Sequence, residues 1–175
     1  NFLKLKKKVN LFSKNFKNLK IYIENVGLGN EKKKIYLKQL NESSSSTINQ
    51  INKNSKYFKK KSFFLNKLNA KNFYKNIDIQ IIRLDEYLNN NSIEYIDFMK
   101  IDTEGYEFDV LKGLGIKIHN VQYIMFEHHY HDMLIKTYKF SDINELLVKN
   151  NFIKIFKAKM PFRKTFEYIY ENRNK

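Results

Sequence analysis

The 175 residues fall within the usual size of one compact domain, and 42% hydrophobic with 15% aromatic residues excludes a chain that is disordered throughout. A formal net charge of +15 would ordinarily point to a nucleic acid or an anionic surface. Yet only Arg83, Arg163 and Arg173 are arginines, and the wealth of Lys, Asn, Ile, Tyr and Phe is what A/T-rich codons produce, so we read a solvated lysine-rich surface and expect no nucleic-acid partner.

Along the chain, Phe2, Leu5, Val9, Phe12 and Phe16 recur every three or four residues, which predicts an amphipathic helix. Leu19 to Leu28 reads as a strand with Ile21, Ile23 and Val26 facing inward, broken by Gly27 and Gly29. Lys34 to Leu40 alternates as a second strand. The run Ser43-Ser44-Ser45-Ser46-Thr47 is loop chemistry, since small hydroxyls compete for backbone hydrogen bonds. Residues 41–76 read as a long loop or insertion with one weak element, in which Phe63, Phe64, Phe73 and Tyr74 are packing residues.

From Ile77 the signal sharpens. Ile77 to Arg83 is β-branched and strand-like, and Leu84 to Leu88 looks like a helical turn. Tyr95 to Ile101 predicts a short buried strand, and Glu104 to Lys112 a helix stopped by Gly113. Val121 to Glu127 is another buried strand. Asp142 to Asn150 is helical with Ser141 as N-cap, and Phe152 to Phe156 with Thr165 to Tyr170 predicts an antiparallel pair around Pro161. The alternation of strand and helix implies an α/β sandwich with a mostly parallel sheet.

In such a sheet, ligands bind beyond the carboxyl ends of the strands. Three segments place polar groups there: Asp102 and Glu104 before Gly105, Glu127 with His128 and His129, and Glu24-Asn25-Val26-Gly27. Acids between a strand and a helix also serve as helix caps, and that reading stays open for Asp102 and Glu104. His128, His129, His131 and Asp132 cluster, but their spacing is not that of a ligand set, so no metal is expected. The absence of cysteine excludes disulfides and thiolate chemistry and fits a reducing, cytoplasmic location. No apolar run approaches the ~20 residues of a bilayer span, and no signal-peptide pattern is present. With Asn1 first, we take the chain to be a piece of something longer, cut before its natural start.

The segment Ile96-Asp97-Phe98-Met99-Lys100-Ile101-Asp102-Thr103-Glu104-Gly105-Tyr106-Glu107, followed by Val110-Leu111-Lys112-Gly113, resembles the hallmark of the FkbM-type methyltransferases. Arg83-Leu84-Asp85-Glu86-Tyr87-Leu88, Phe126-Glu127 and Asn25-Val26-Gly27-Leu28-Gly29 are similar, in order, to further elements of that family. The resemblance implies a Rossmann-like fold of strand order 3-2-1-4-5-7-6 that transfers a methyl group from S-adenosylmethionine to a hydroxyl of a sugar or other small molecule. It implies that Asn25 and Val26 approach the cofactor, with Asp102 beside its methionyl part or the acceptor. It also implies catalytic roles among Asp102, Glu104, Glu127 and His128. The family's glycine-rich cofactor loop and the acid that binds the ribose have no counterpart here. Residues 1–175 therefore read as one partial domain, incomplete at its N-terminus and expected to bind the cofactor weakly or not at all. A non-catalytic module of the same fold is the alternative, and a basic nucleic-acid-binding protein, with steep salt dependence, comes after it.

Overall fold

The computed structural model describes residues 2–16, 19–40, 46–66, 74–161 and 163–174. In chain order these form helix α1 (Phe2–Ser13), strands β1 (Gly27–Gly29), β2 (Lys33–Leu40) and β3 (Gln50–Ile51), and helix α2 (Lys56–Asn66). Strand β4 (Tyr74–Arg83), helix α3 (Leu84–Asn90), strand β5 (Ile96–Ile101), helix α4 (Glu107–Lys112) and a short 3-10 helix (Gly115–Asn120) follow. Strands β6 (Val121–His129) and β7 (Leu134–Ile135), helix α5 (Phe140–Lys149) and strands β8 (Phe152–Lys159) and β9 (Thr165–Asn172) complete the chain. They pair as a four-stranded sheet β5-β6-β9-β8, a three-stranded sheet β1-β4-β2 and a two-stranded sheet β3-β7.

β6 is the axis of the core. Its apolar run buries Val121, Ile124 and Phe126 completely, between Met99 and Ile101 of β5 and Tyr168 and Tyr170 of β9. α4 and α5 close one face. Val110 and Leu111 of α4 and Ile143 and Leu147 of α5 join the same cluster, and Phe140 stacks on Tyr168 at 4.4 Å. Each such fully buried side chain contributes about 1.5–3 kcal/mol. The expected terminal antiparallel pair is β8 with β9.

The pairing is mixed rather than mostly parallel among the described residues. Only β1 with β4 and β5 with β6 run parallel. Parallel neighbours need a crossover, which α4 supplies between β5 and β6, whereas the β8–β9 hairpin turns β9 back antiparallel beside β6.

Four local expectations are corrected. The strand expected over Leu19 to Leu28 shrinks to Gly27–Gly29, with Ile21 and Val26 exposed at 37% and 38%. Only that stretch lies alongside β4, where Gly27 faces Ile81 so closely that an added Cβ would come within 2.5 Å of Ile81 Cδ1. Apolar β-branched residues form strands only where a neighbour pairs with them. β5 is present but not buried on both faces: among the described residues it is an edge strand paired with β6 alone, and Phe98 is 51% exposed. Helix α4 starts at Glu107 rather than Glu104, because Glu104 and Gly105 take φ of 50° and 97°, outside the helical region. Ser141 sits inside α5; the cap is Lys139, whose backbone N–H donates to the Asp142 carboxylate at 2.8 Å.

Gly113 ends α4 for a different reason from the one its position suggests. Its φ of −67° is helical. A Cβ there would lie 2.1 Å from the carbonyl oxygen of Gly29, so the residue is needed to let the helix end touch the backbone of β1. The stretch expected as a loop over 41–76 holds β3, α2 and the first residues of β4, which starts at Tyr74, and Phe63, expected to pack, is 62% exposed; the Ser43 to Ser45 run and Phe73 lie outside the described residues.

Candidate active site

Two carboxylates come near each other where parallel β5 ends beside β6: Asp102 lies just past β5, and Glu127 two residues before the end of β6. β5 pairs with β6 through Ile101 and Phe126, so Asp102 and Glu127, one residue further on each, come together on the face opposite the core. Asp102 is half exposed, with Lys100 Nζ 3.6 Å from its Oδ2. Glu127 is buried to 8% exposure. Burial, reinforced by the negative Asp102 and Glu167 and opposed by Lys100 and Arg163, holds its carboxyl above the ordinary glutamate range.

The corner after Asp102 is fixed by a buried acid. Glu107, fully inaccessible, accepts the Thr103 hydroxyl at 3.1 Å, the Gly105 N–H at 2.8 Å and the Tyr138 phenol. Burial, with Glu107 beside it, pushes the Tyr138 pKa far above its usual value, so that phenol stays a donor. Glu104 points its carboxylate at His129, Oε2 to Nε2 2.8 Å.

Of the three clustered histidines, His129 and His131 meet edge to face, ring centroids 5.1 Å apart, while His128 is turned to other rings. Burial first, then His131, Lys136, His128 and Arg163, lowers His129 to about 3. Burial thus favours the neutral imidazole, which at this distance donates Nε2–H to the Glu104 carboxylate. That tautomer leaves Nδ1 as a bare lone pair, buried with no hydrogen-bond partner among the described residues. His128 points the other way, its ring edge-on to Tyr130, Tyr138 and Phe140. Burial and the neighbouring Lys136 lower His128 to about 4, and its Nε2 lies 3.2 Å from Lys136 Nζ. Lys136 also donates to the His129 carbonyl at 2.5 Å, and burial, opposed by Glu107, lowers its ammonium to about 8. His131 stacks on Tyr57 at 4.3 Å and accepts the Met133 N–H on Nδ1. Among the described residues no cluster of three or more His, Asp and Glu side chains is placed to hold a metal.

Of the residues singled out in the sequence, Asp102 meets Glu127, and Glu104 lies just past them on His129. His128 projects to the helix-covered side. Asn25 and Val26 are exposed in the segment entering β1, in the other sheet. Sequence reasoning missed Glu107, Lys136, Thr47 and Asn49. A signal for Glu107 exists: it stands two residues after a left-handed glycine, whose N–H needs an acceptor. Nothing in spacing marks Thr47 and Asn49, which reach this corner from 57 and 56 residues upstream.

Residues 3–154 match the model of the methyltransferase FkbM domain, and the chain belongs to that family of methyltransferases. No curated protein and no solved structure matches it. No described helix is long and apolar enough to cross a membrane.

Proposed function

We propose that the protein is an S-adenosylmethionine-dependent O-methyltransferase acting on a hydroxyl of a sugar or other small molecule. The observation that carries this reading is the pair Asp102, just past β5, and Glu127, near the carboxyl end of parallel β6, on the side where an open α/β sheet binds its ligands. The order β5-β6-β9-β8, with the last strand of the chain set between its two predecessors, also has the succession 4-5-7-6 that a Rossmann-like methyltransferase sheet would show.

The donor set suits the cofactor's amino-acid end. The exposed Asp102 carboxylate with Lys100 beside it would take a methionyl ammonium and carboxylate, and the Asn25 amide would take the adenine edge. S-adenosylmethionine supplies a methyl group already activated on a sulfonium, so the protein's part is to orient the acceptor oxygen in line and receive its proton. Glu127, held above the ordinary carboxylate range by burial and by Asp102, is the stronger base for that proton. Glu104, fixed on His129, bounds the same corner. His128, neutral and enclosed by aromatic rings, would act through Lys136 rather than on the acceptor.

The test is methyl transfer from labelled S-adenosylmethionine by the full-length protein, over a panel of hydroxylated acceptors. Asp102→Asn and Glu104→Gln are each expected to lower turnover about 100-fold; normal turnover in both sinks the reading. One observation favours the second reading, a non-catalytic module: β5 has no sheet neighbour on its open side among the described residues. Calorimetric titration of residues 1–175 with S-adenosylmethionine addresses it. Weak or no binding is expected, and submicromolar affinity would show that this chain alone holds the cofactor.

A further inference from the structure

A residue with a Cβ seldom adopts left-handed backbone, and Glu104 does so at φ 50°. The fixing groups come from the segment around β3. Thr47, 2% exposed, accepts the backbone N–H of Asn49 on Oγ1 at 3.1 Å. That leaves its single hydroxyl hydrogen for the Glu104 carbonyl, 2.8 Å away. The Asn49 side-chain amide donates to the Gly105 carbonyl at 2.7 Å and reaches the Glu104 carbonyl at 3.4 Å. A Cβ at residue 105 would lie 2.6 Å from Asn49 Nδ2, so this amide approaches only because residue 105 is glycine. The donors are themselves anchored. Lys38 pairs with Thr47 through both backbone hydrogen bonds, 2.9 and 3.1 Å, and its Nζ donates to the Asn49 carbonyl at 3.0 Å. From the other side, Glu107 takes the Gly105 N–H.

We infer that Thr47 and Asn49 are positioning residues of the candidate active site: they pin the Glu104–Gly105 corner in its left-handed form, so that the Glu104 carboxylate stays on His129 Nε2–H. The catalytic meaning rests on the reading of Glu104 given above; the clamp does not. A residue serving stability alone would leave the proton on His129 indifferent to its loss, whereas a clamp acting through Glu104 sets which ring nitrogen carries it.

The experiment is nitrogen NMR of the imidazoles in 15N-histidine-labelled protein, with no ligand added. His129 should appear as one neutral tautomer, protonated on Nε2, from about pH 5 to 8. In Asn49→Ala and in the isosteric Thr47→Val, that signal should move toward mixed tautomers, while Thr47→Ser, which keeps the hydroxyl, should restore it. Thr47→Val carries the test if Asn49→Ala does not fold. An unchanged His129 signal in a folded Thr47→Val protein overturns the clamp, as does failure of Thr47→Ser to restore it. In the full-length protein, Asn49→Ala should lower turnover about 10- to 100-fold at unchanged KM for S-adenosylmethionine. If instead Asp102→Asn and Glu104→Gln both turn over normally while the His129 signal follows Thr47 as described, the site reading fails and the clamp stands.

Discussion

The two ends of the chain spend their apolar residues differently. α1 repeats Phe2, Leu5, Val9 and Phe12 as a stripe, yet buries none of its side chains, and Leu11 and Phe12 are 66% and 51% exposed. α5 presents a comparable stripe, and its Ile143 and Leu147 are fully buried over β8 and β9. Periodicity states that a face is apolar; burial depends on whether a partner surface is there to receive it. The family match nevertheless begins within α1, at residue 3.

The contrast can be broken by mutation, and the largest effect belongs to the β6 core. Phe126→Ala should cost about 3–5 kcal/mol in urea unfolding, whereas Leu11→Ala should stay within about 0.5 kcal/mol. An equal loss at both sites would mean that α1 is packed in solution. Acid sharpens the same contrast. His128 and His129 titrate near 4 and 3 in the folded chain against an ordinary 6.5, so between these values the unfolded chain binds the extra protons. Stability should therefore fall as pH drops from about 6.5 toward 4, by on the order of 3 kcal/mol for each buried imidazole. His128→Phe should flatten that slope in a series of urea midpoints against pH; an unchanged slope would show His128 to be accessible to protons.

Smaller effects follow at the junction of the sheets and at the site. Gly113→Ala forces a Cβ against the Gly29 carbonyl and should cost about 1–3 kcal/mol, read as a lower melting temperature. Glu127→Gln should act in the opposite sense. Its folded pKa is raised, so the folding stability linked to the protonated carboxyl is present at low pH and lost as pH rises through the raised value. Removing the charge should thus modestly raise the midpoint at neutral pH and leave it unchanged in acid.

Sequence reading located the elements whose burial is written in their own residues. β6, the β8–β9 pair and α5 were legible because apolar runs or stripes coincide with the core. β1 was not, because a Gly-Leu-Gly stretch becomes a strand only through the neighbour that pairs with it. At the site, Asp102 was legible as an acid just past β5, whereas Glu127, expected to end its strand, lies two residues inside β6, which β9 extends by pairing as far as His129. Glu104 was placed in a helix because its left-handed backbone is imposed by Thr47 and Asn49, across a separation that no local pattern reports. His128 and His129 looked equivalent in sequence, and strand alternation alone sends one into an aromatic cage and the other to Glu104.

Among the described residues β5 has one unpaired side, and this has a consequence for how the molecule behaves among copies of itself. A strand hydrogen-bonded on one side offers its remaining N–H and C=O groups as a template for any extended segment that arrives, and an exposed aromatic such as Phe98 adds adhesion. Asp97 and Lys100, both exposed on the same strand, are the charges that oppose such stacking. Neutralising both should turn this edge into the point from which chains associate strand to strand.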